Sequence, residues 1–168
     1  MIYEEIFREF EQRDVRYLIV GGMAVNLYGY LRLTIDLDLM VDLSDENLSK
    51  IINVMERLGY IPKVPVNPHE FISKEKRDEW IRNKGAIVFT FIDPKAPFKV
   101  IDIFLVNPID FEEAYTNKKV MKIKGISINI ASIDDLIKMK SACGRPRDIE
   151  DIDHLMRIKE LRKKIYGC

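Results

Sequence analysis

Apolar and polar positions along this chain follow two rhythms, and the switches between them divide it into elements. Tyr3, Ile6, Phe7 and Phe10 recur at the spacing of one helix face, so the chain opens with an amphipathic helix. Residues 15–20, VRYLIV, form a short β-branched run stopped by Gly21-Gly22, the mark of a buried strand. A short helix over 23–31 is entered directly from those glycines, and IDLDLMV over 35–41 predicts a second strand.

Ser44 opens a better-defined helix. Asp45 and Glu46 favour its dipole, Leu48, Ile51, Ile52 and Met55 line one stripe, and Gly59 supplies the stop. Residues 61–68 hold three prolines and read as irregular, whereas 70–85 read as a helix or helical loop. Two strands over 86–92 and 99–106 are joined across 93–97 as a hairpin. A short acidic segment over 109–115 precedes two more strands, 120–125 and 126–131. Ser132 with Asp135 resembles a capping box before a helix over 133–142. Gly144-Arg145-Pro146 breaks that helix, and a last one runs over 147–164. The class is therefore α/β (α+β), a mixed central sheet of five to six strands with flanking helices. One domain over 1–168 is expected, its core over 15–106 and a helical part over 132–164.

Composition narrows the partners more than the fold. Of 168 residues 47% are apolar, enough for a real core, and 27 basic residues balance 27 acidic ones. No global field then recruits nucleic acid or an anionic membrane. The two cysteines are too few for a disulfide framework or a structural zinc site; Cys143 reads as a buried thiol, Cys168 as a frayed terminal one, and the compartment as a reducing cytosol. The N-terminus is acidic and amphipathic, unlike a signal or transit peptide, and no apolar run approaches the ~20 residues that span a bilayer. A cytoplasmic protein with no membrane partner is expected. His69 and His154 lack ligand spacing and read as surface residues, while Trp80, Phe89, Phe91 and Phe98 read as packing.

The candidate chemistry lies in carboxylates set on core-like strands. Period two puts Asp36 and Asp38 on one face, with Leu37, Leu39 and Val41 opposite. The same rule makes Asp102 a lone charge among Val100 and Phe104, backed by Ile101, Ile103 and Leu105. An unpaired buried carboxylate costs several kcal/mol, relieved by solvent, a basic partner or a metal ion. Three such carboxylates are oxygen donors of the kind that hard cations such as Mg²⁺ take. Gly21-Gly22 sits where a strand enters a helix, a place where amides and dipole favour an anion. Neither a Walker lysine nor a Gly-x-Gly-x-x-Gly fingerprint accompanies it.

Strand, Gly21-Gly22, helix, Arg32-Leu33-Thr34-Ile35-Asp36-Leu37-Asp38 and then Asp102 in a later strand together resemble the DNA polymerase beta-like nucleotidyltransferase superfamily. The closer likeness is to its small prokaryotic branch, which includes the abortive-infection nucleotidyltransferase toxins, and residues 134–152 look like that branch too. Gly22 departs from the serine that many members carry after the first glycine. The resemblance implies transfer of a nucleoside monophosphate from an NTP to a hydroxyl acceptor, whether tRNA, protein or small molecule, with an antitoxin as a further expected partner. It implies two Mg²⁺ ions, or Mn²⁺ in their place, on Asp36, Asp38 and Asp102, with Asp102 helping to deprotonate the acceptor. Gly21, Gly22, Thr34, Lys140, Arg145 and Asp148 would form the nucleotide site. Lys140 would reach the triphosphate in preference to Lys138, and Asp148 would pair or position it. The alternative is a catalytically weak nucleotide-binding regulatory or interaction module of the same fold.

Overall fold

The computed structural model of the chain describes residues 2–166. Its strands lie in one seven-stranded mixed sheet, one or two more than the sequence pattern predicts. In chain order they are β1 (Tyr17–Val20), β2 (Leu37–Val41), β3 (Ile61–Pro62), β4 (Val88–Asp93), β5 (Ala96–Phe104), β6 (Lys119–Ile123) and β7 (Ile126–Ile130). The sheet order is β3-β4-β5-β2-β1-β7-β6. The additional strand is β3, two residues long, within the stretch expected to be irregular. Its Pro62 is tolerated because β3 is an edge strand.

β1, the most apolar strand, lies inside the sheet, antiparallel to β2 and parallel to β7. β2 runs parallel to β5, in register Leu37 with Ile101, Asp38 with Asp102 and Leu39 with Ile103. Leu37, Leu39, Val41, Ile101 and Ile103 are fully buried. Each such side chain contributes roughly 2 kcal/mol on burial, so the five together offset the several kcal/mol that carboxylates on the opposite faces cost. The apolar face of this strand pair pins the polar face in place.

The helices are α1 (Glu4–Gln12), α2 (Gly21–Tyr28), α3 (Asp45–Arg57), α4 (Lys74–Lys84), α5 (Phe111–Thr116), α6 (Ile133–Cys143) and α7 (Pro146–Tyr166). Ser44 and Ser132 cap α3 and α6 by accepting the Asn47 and Asp135 N–H groups, as their spacing indicates. The short acidic segment contains α5, with Asp110 accepting the Glu113 N–H as its cap. α2 begins at Gly21, before the first residue of the expected helix. Tyr3 leads α1 into the core, where its hydroxyl lies 2.9 Å from both the Ile35 and Val100 carbonyl oxygens and accepts the Val100 N–H at 3.1 Å. That contact ties the approach to β2 to the middle of β5. No helix among the described residues is long and apolar enough to cross a membrane.

Candidate active site

Asp38 and Asp102 face each other across the parallel β2–β5 pair, direct neighbours in register. Asp36 lies just before β2 rather than within it. β1 turns into α2 at Gly21, and its last pairing is Val20 with Asp38, so earlier β2 residues have no neighbour on that side. Asp36 is therefore exposed, at the mouth of the site. Among the described residues no three acidic, His or Cys groups converge on one point. Asp102 is fixed by Thr90, its cross-strand neighbour on β4, whose hydroxyl donates to Asp102 Oδ1 at 2.6 Å.

Gly21 lies against Asp38. With φ of 64° it occupies the left-handed region, and a methyl group there would overlap the Asp38 carboxylate. This glycine is required by close approach as much as by turn conformation. Burial pushes the Asp38 carboxyl up to about 6, with the charges of Asp102 and then Asp36 adding to it, while Lys140 and the Gly22 N–H bond pull the other way. Neither Asp38 nor Asp102 forms an ion pair among the described residues. Crowded, uncompensated carboxylate oxygens fit a hard divalent cation in charge and donor chemistry.

Basic groups gather on the facing helices in a different state. Lys140 is buried while Lys138 is exposed, which separates the two candidate lysines. Lys140 Nζ donates to Asp151 Oδ2 at 2.6 Å and reaches Asp148 Oδ1 at 3.5 Å. Asp148 thus stands within reach of the lysine, but the nearer partner is Asp151, which sequence reasoning missed. Arg32 also pairs with Asp151. The backbone of Arg32 is held in both directions by Asn26 at 2.9 Å, and its guanidinium packs over Gly22 beside Thr34.

A cleft of about 360 Å³ runs between the two groups, lined by Gly21, Asp38, Asp102, Lys140, Arg145 and Asp148 among others. Gly22, Thr34 and Asp36 lie outside its walls, and the Gly22 amide is engaged with Asp38. Cys143, expected to be buried, is exposed and lines the cleft because it ends α6, where Gly144 turns the chain away from the core. Cys168 lies outside the described residues. His69 is on the surface beside Glu56, but His154 is partly covered by its stack on Tyr30, ring centroids 3.6 Å apart.

A family model described as nucleotidyltransferase of unknown function (DUF6036) matches residues 1–163. No curated protein sequence matches. Among solved structures, the lincosamide antibiotic adenylyltransferase LnuA with lincomycin bound is similar at 20% identity and a TM-score of 0.59, covering 91% of this chain and 93% of that one. ANT(2″)-Ia in complex with adenylyl-2″-tobramycin is similar at 15% identity and a TM-score of 0.58, covering 99% and 95%. A putative nucleotidyltransferase from Thermotoga maritima reaches 0.53 at 14% identity, covering 99% and 94%. At these identities the likeness is one of fold, and it agrees with the nucleotidyltransferase fold expected from the motifs.

Proposed function

The chain belongs to the DUF6036 nucleotidyltransferase family, and on that premise we propose that it moves a nucleoside monophosphate from an NTP to an acceptor hydroxyl. The observation that carries this reading is the Asp38–Asp102 pair, adjacent in register and without a basic partner, beside Gly21 in an open cleft. Asp38 and Asp102, with Asp36 at the entrance, would hold two Mg²⁺ ions, which when bound offset phosphate charge and acidify the acceptor hydroxyl.

Thr90 occupies Oδ1 of Asp102, leaving Oδ2 to take the proton of the acceptor hydroxyl. The acceptor oxygen bonds to the α-phosphorus, the bond from that phosphorus to the bridging oxygen breaks, and pyrophosphate leaves with the electron pair. Lys140 and Arg145, on the cleft wall, suit the negative tail of the triphosphate. Gly21, opening α2, adds the positive end of a helix dipole. Of the acceptors considered, a small-molecule hydroxyl is favoured, because LnuA and ANT(2″)-Ia are both described with antibiotics.

Each labelled NTP should be incubated with Mg²⁺ and separate pools of tRNA, protein and small hydroxyl compounds. Label should pass to the small-molecule pool with release of pyrophosphate, and Asp38→Asn should lower the rate on the order of a thousandfold. Transfer that survives Asp38→Asn would sink the assignment of the site.

A further inference from the structure

The cleft is not uniform, and its two ends differ in chemistry. Register sets Val20, Asp38, Asp102 and Thr90 side by side on the neighbouring strands β1, β2, β5 and β4. Cross-strand neighbours share a face, so these residues form one row across the sheet, in steps of roughly 4.8 Å. In the next row Val88 pairs with Phe104; each lies two residues from Thr90 or Asp102 in its own strand, hence on the same face as the carboxylates. Val88 and Phe104 line the cleft, and so does Ile87 just ahead of β4. Opposite them stands α6: Leu136, Met139 and Cys143 recur at i, i+3 and i+7, share the stripe of Lys140, and line the cleft with it.

The direction of the displacement says which substrate meets this apolar end. Gly21 follows Val20 and opens α2, so the positive end of a helix dipole draws the triphosphate tail to the β1 end of the row. In-line displacement sets the entering oxygen opposite the leaving pyrophosphate. With pyrophosphate at the Gly21 end, the acceptor enters from the Thr90 end, over β5 and β4. There its body meets Val88 and Phe104 below and the α6 stripe across the cleft. A polyhydroxylated or cationic body would give up its bonds to water and find no charged or hydroxyl partner among these side chains. An apolar body would lose nothing on leaving water.

We propose that Ile87, Val88 and Phe104, with Leu136, Met139 and Cys143 of α6, form the acceptor subsite, and that the acceptor is a small neutral hydroxyl compound whose body beside the reacting hydroxyl is apolar. Its O–H gives the proton to Asp102 Oδ2, the oxygen bonds to the α-phosphorus, and the bond from that phosphorus to pyrophosphate breaks. This rests on the nucleotidyl-transfer reading above, and it adds the acceptor class to it.

The probes are 3-phenylpropan-1-ol, 3-aminopropan-1-ol and glycerol, which share a primary hydroxyl and differ in the body that carries it. With each labelled NTP and Mg²⁺, label should pass to the phenyl compound with kcat/KM roughly tenfold or more above that of either other alcohol. Val88→Asn on β4 and Met139→Gln on α6 place neutral polar groups on the two sides of the subsite, both at half-buried positions. Each should raise the phenylpropanol KM about tenfold and leave the NTP KM unchanged, the unchanged value showing that the variant is folded. Equal use of the three alcohols, or transfer that passes over phenylpropanol for another acceptor, would overturn the subsite and leave nucleotidyl transfer standing. A rise in the NTP KM in place of the acceptor KM would also overturn it, by giving this end of the cleft to the nucleobase. No label on any of the alcohols or on the tRNA, protein and small-molecule pools would remove the transfer reading, and the subsite with it.

Discussion

Charge is handled in opposite ways on the two walls of the cleft. On the sheet side, Asp38 and Asp102 stand next to each other in parallel strands with no ion-pair partner among the described residues. On the helix side, Lys140 and Arg32 converge on one buried carboxylate, Asp151, and Asp148 completes the cluster. One wall has an electrostatic deficit that an incoming cation would relieve; the other already pairs its charges internally, with Lys140 and Arg145 still lining the cleft. The contrast separates a metal-ready pair from a prepaired basic wall. Asp151, though buried and charged, holds α7 to α6 and to the loop that covers Gly22, whereas Asp38 costs the fold stability and is retained.

The contrast makes the same isosteric change act with opposite signs. Asp151→Asn leaves the buried Lys140 and the half-buried Arg32 against a neutral amide, and breaking a buried pair of this kind costs ~3 kcal/mol. Chemical denaturation of the full chain should show that loss. Asp38→Asn should stabilise the metal-free protein by about 2 kcal/mol at pH 7, because it removes an ionisation that the fold disfavours. The pH dependence follows from the same shift. The folded-state value, about 6, lies above the ordinary 3.8, so the unfolded chain ionises first as pH rises. The stability that this group contributes is fully present below about pH 4 and is lost through the window between about 4 and 6. Denaturation midpoints without metal should fall across that window in the wild type and stay flatter in Asp38→Asn. If both Asp→Asn variants move stability in the same direction, the two walls are not opposites.

Elements whose signal is local were legible in the sequence. Alternation along residues 99–106 gave the buried faces of β5, and Ser44 and Ser132 announced their helices three residues ahead of their bonding partners. Two features of the site were not legible, each because a partner distant in sequence decides it, and a third was legible but missed. Asp36 fits the alternation of β2 but loses its neighbour where β1 ends, a boundary set by the pairing of Val20 with Asp38. Thr90 is an ordinary strand threonine until register sets it opposite Asp102. Asp151 follows Asp148 by three positions on α7, on the same side of the helix, and that spacing was a usable signal. The choice between lysines was also available: Lys140 lies one turn beyond the buried Leu136, and Lys138 points elsewhere.

The smallest expected effect comes from Thr90, which gives Asp102 a neutral hydroxyl in place of a cation. Thr90→Val keeps the shape of the β-branched side chain and deletes the donor to Asp102 Oδ1. A dipole is worth less than a paired charge, so stability should fall by about 1 kcal/mol, well below the loss in Asp151→Asn. The chemical step should suffer more distinctly. Without the bond at Oδ1, the carboxylate can rotate away from the acceptor hydroxyl, and kcat should drop roughly tenfold while the NTP KM holds. Thr90→Ser, which restores the hydroxyl without the methyl, should recover most of that loss. A variant that raises the NTP KM and spares kcat would move Thr90 from orienting Asp102 to shaping the nucleotide's place in the cleft. Asp102 would then stand on the sheet wall without a positioning partner.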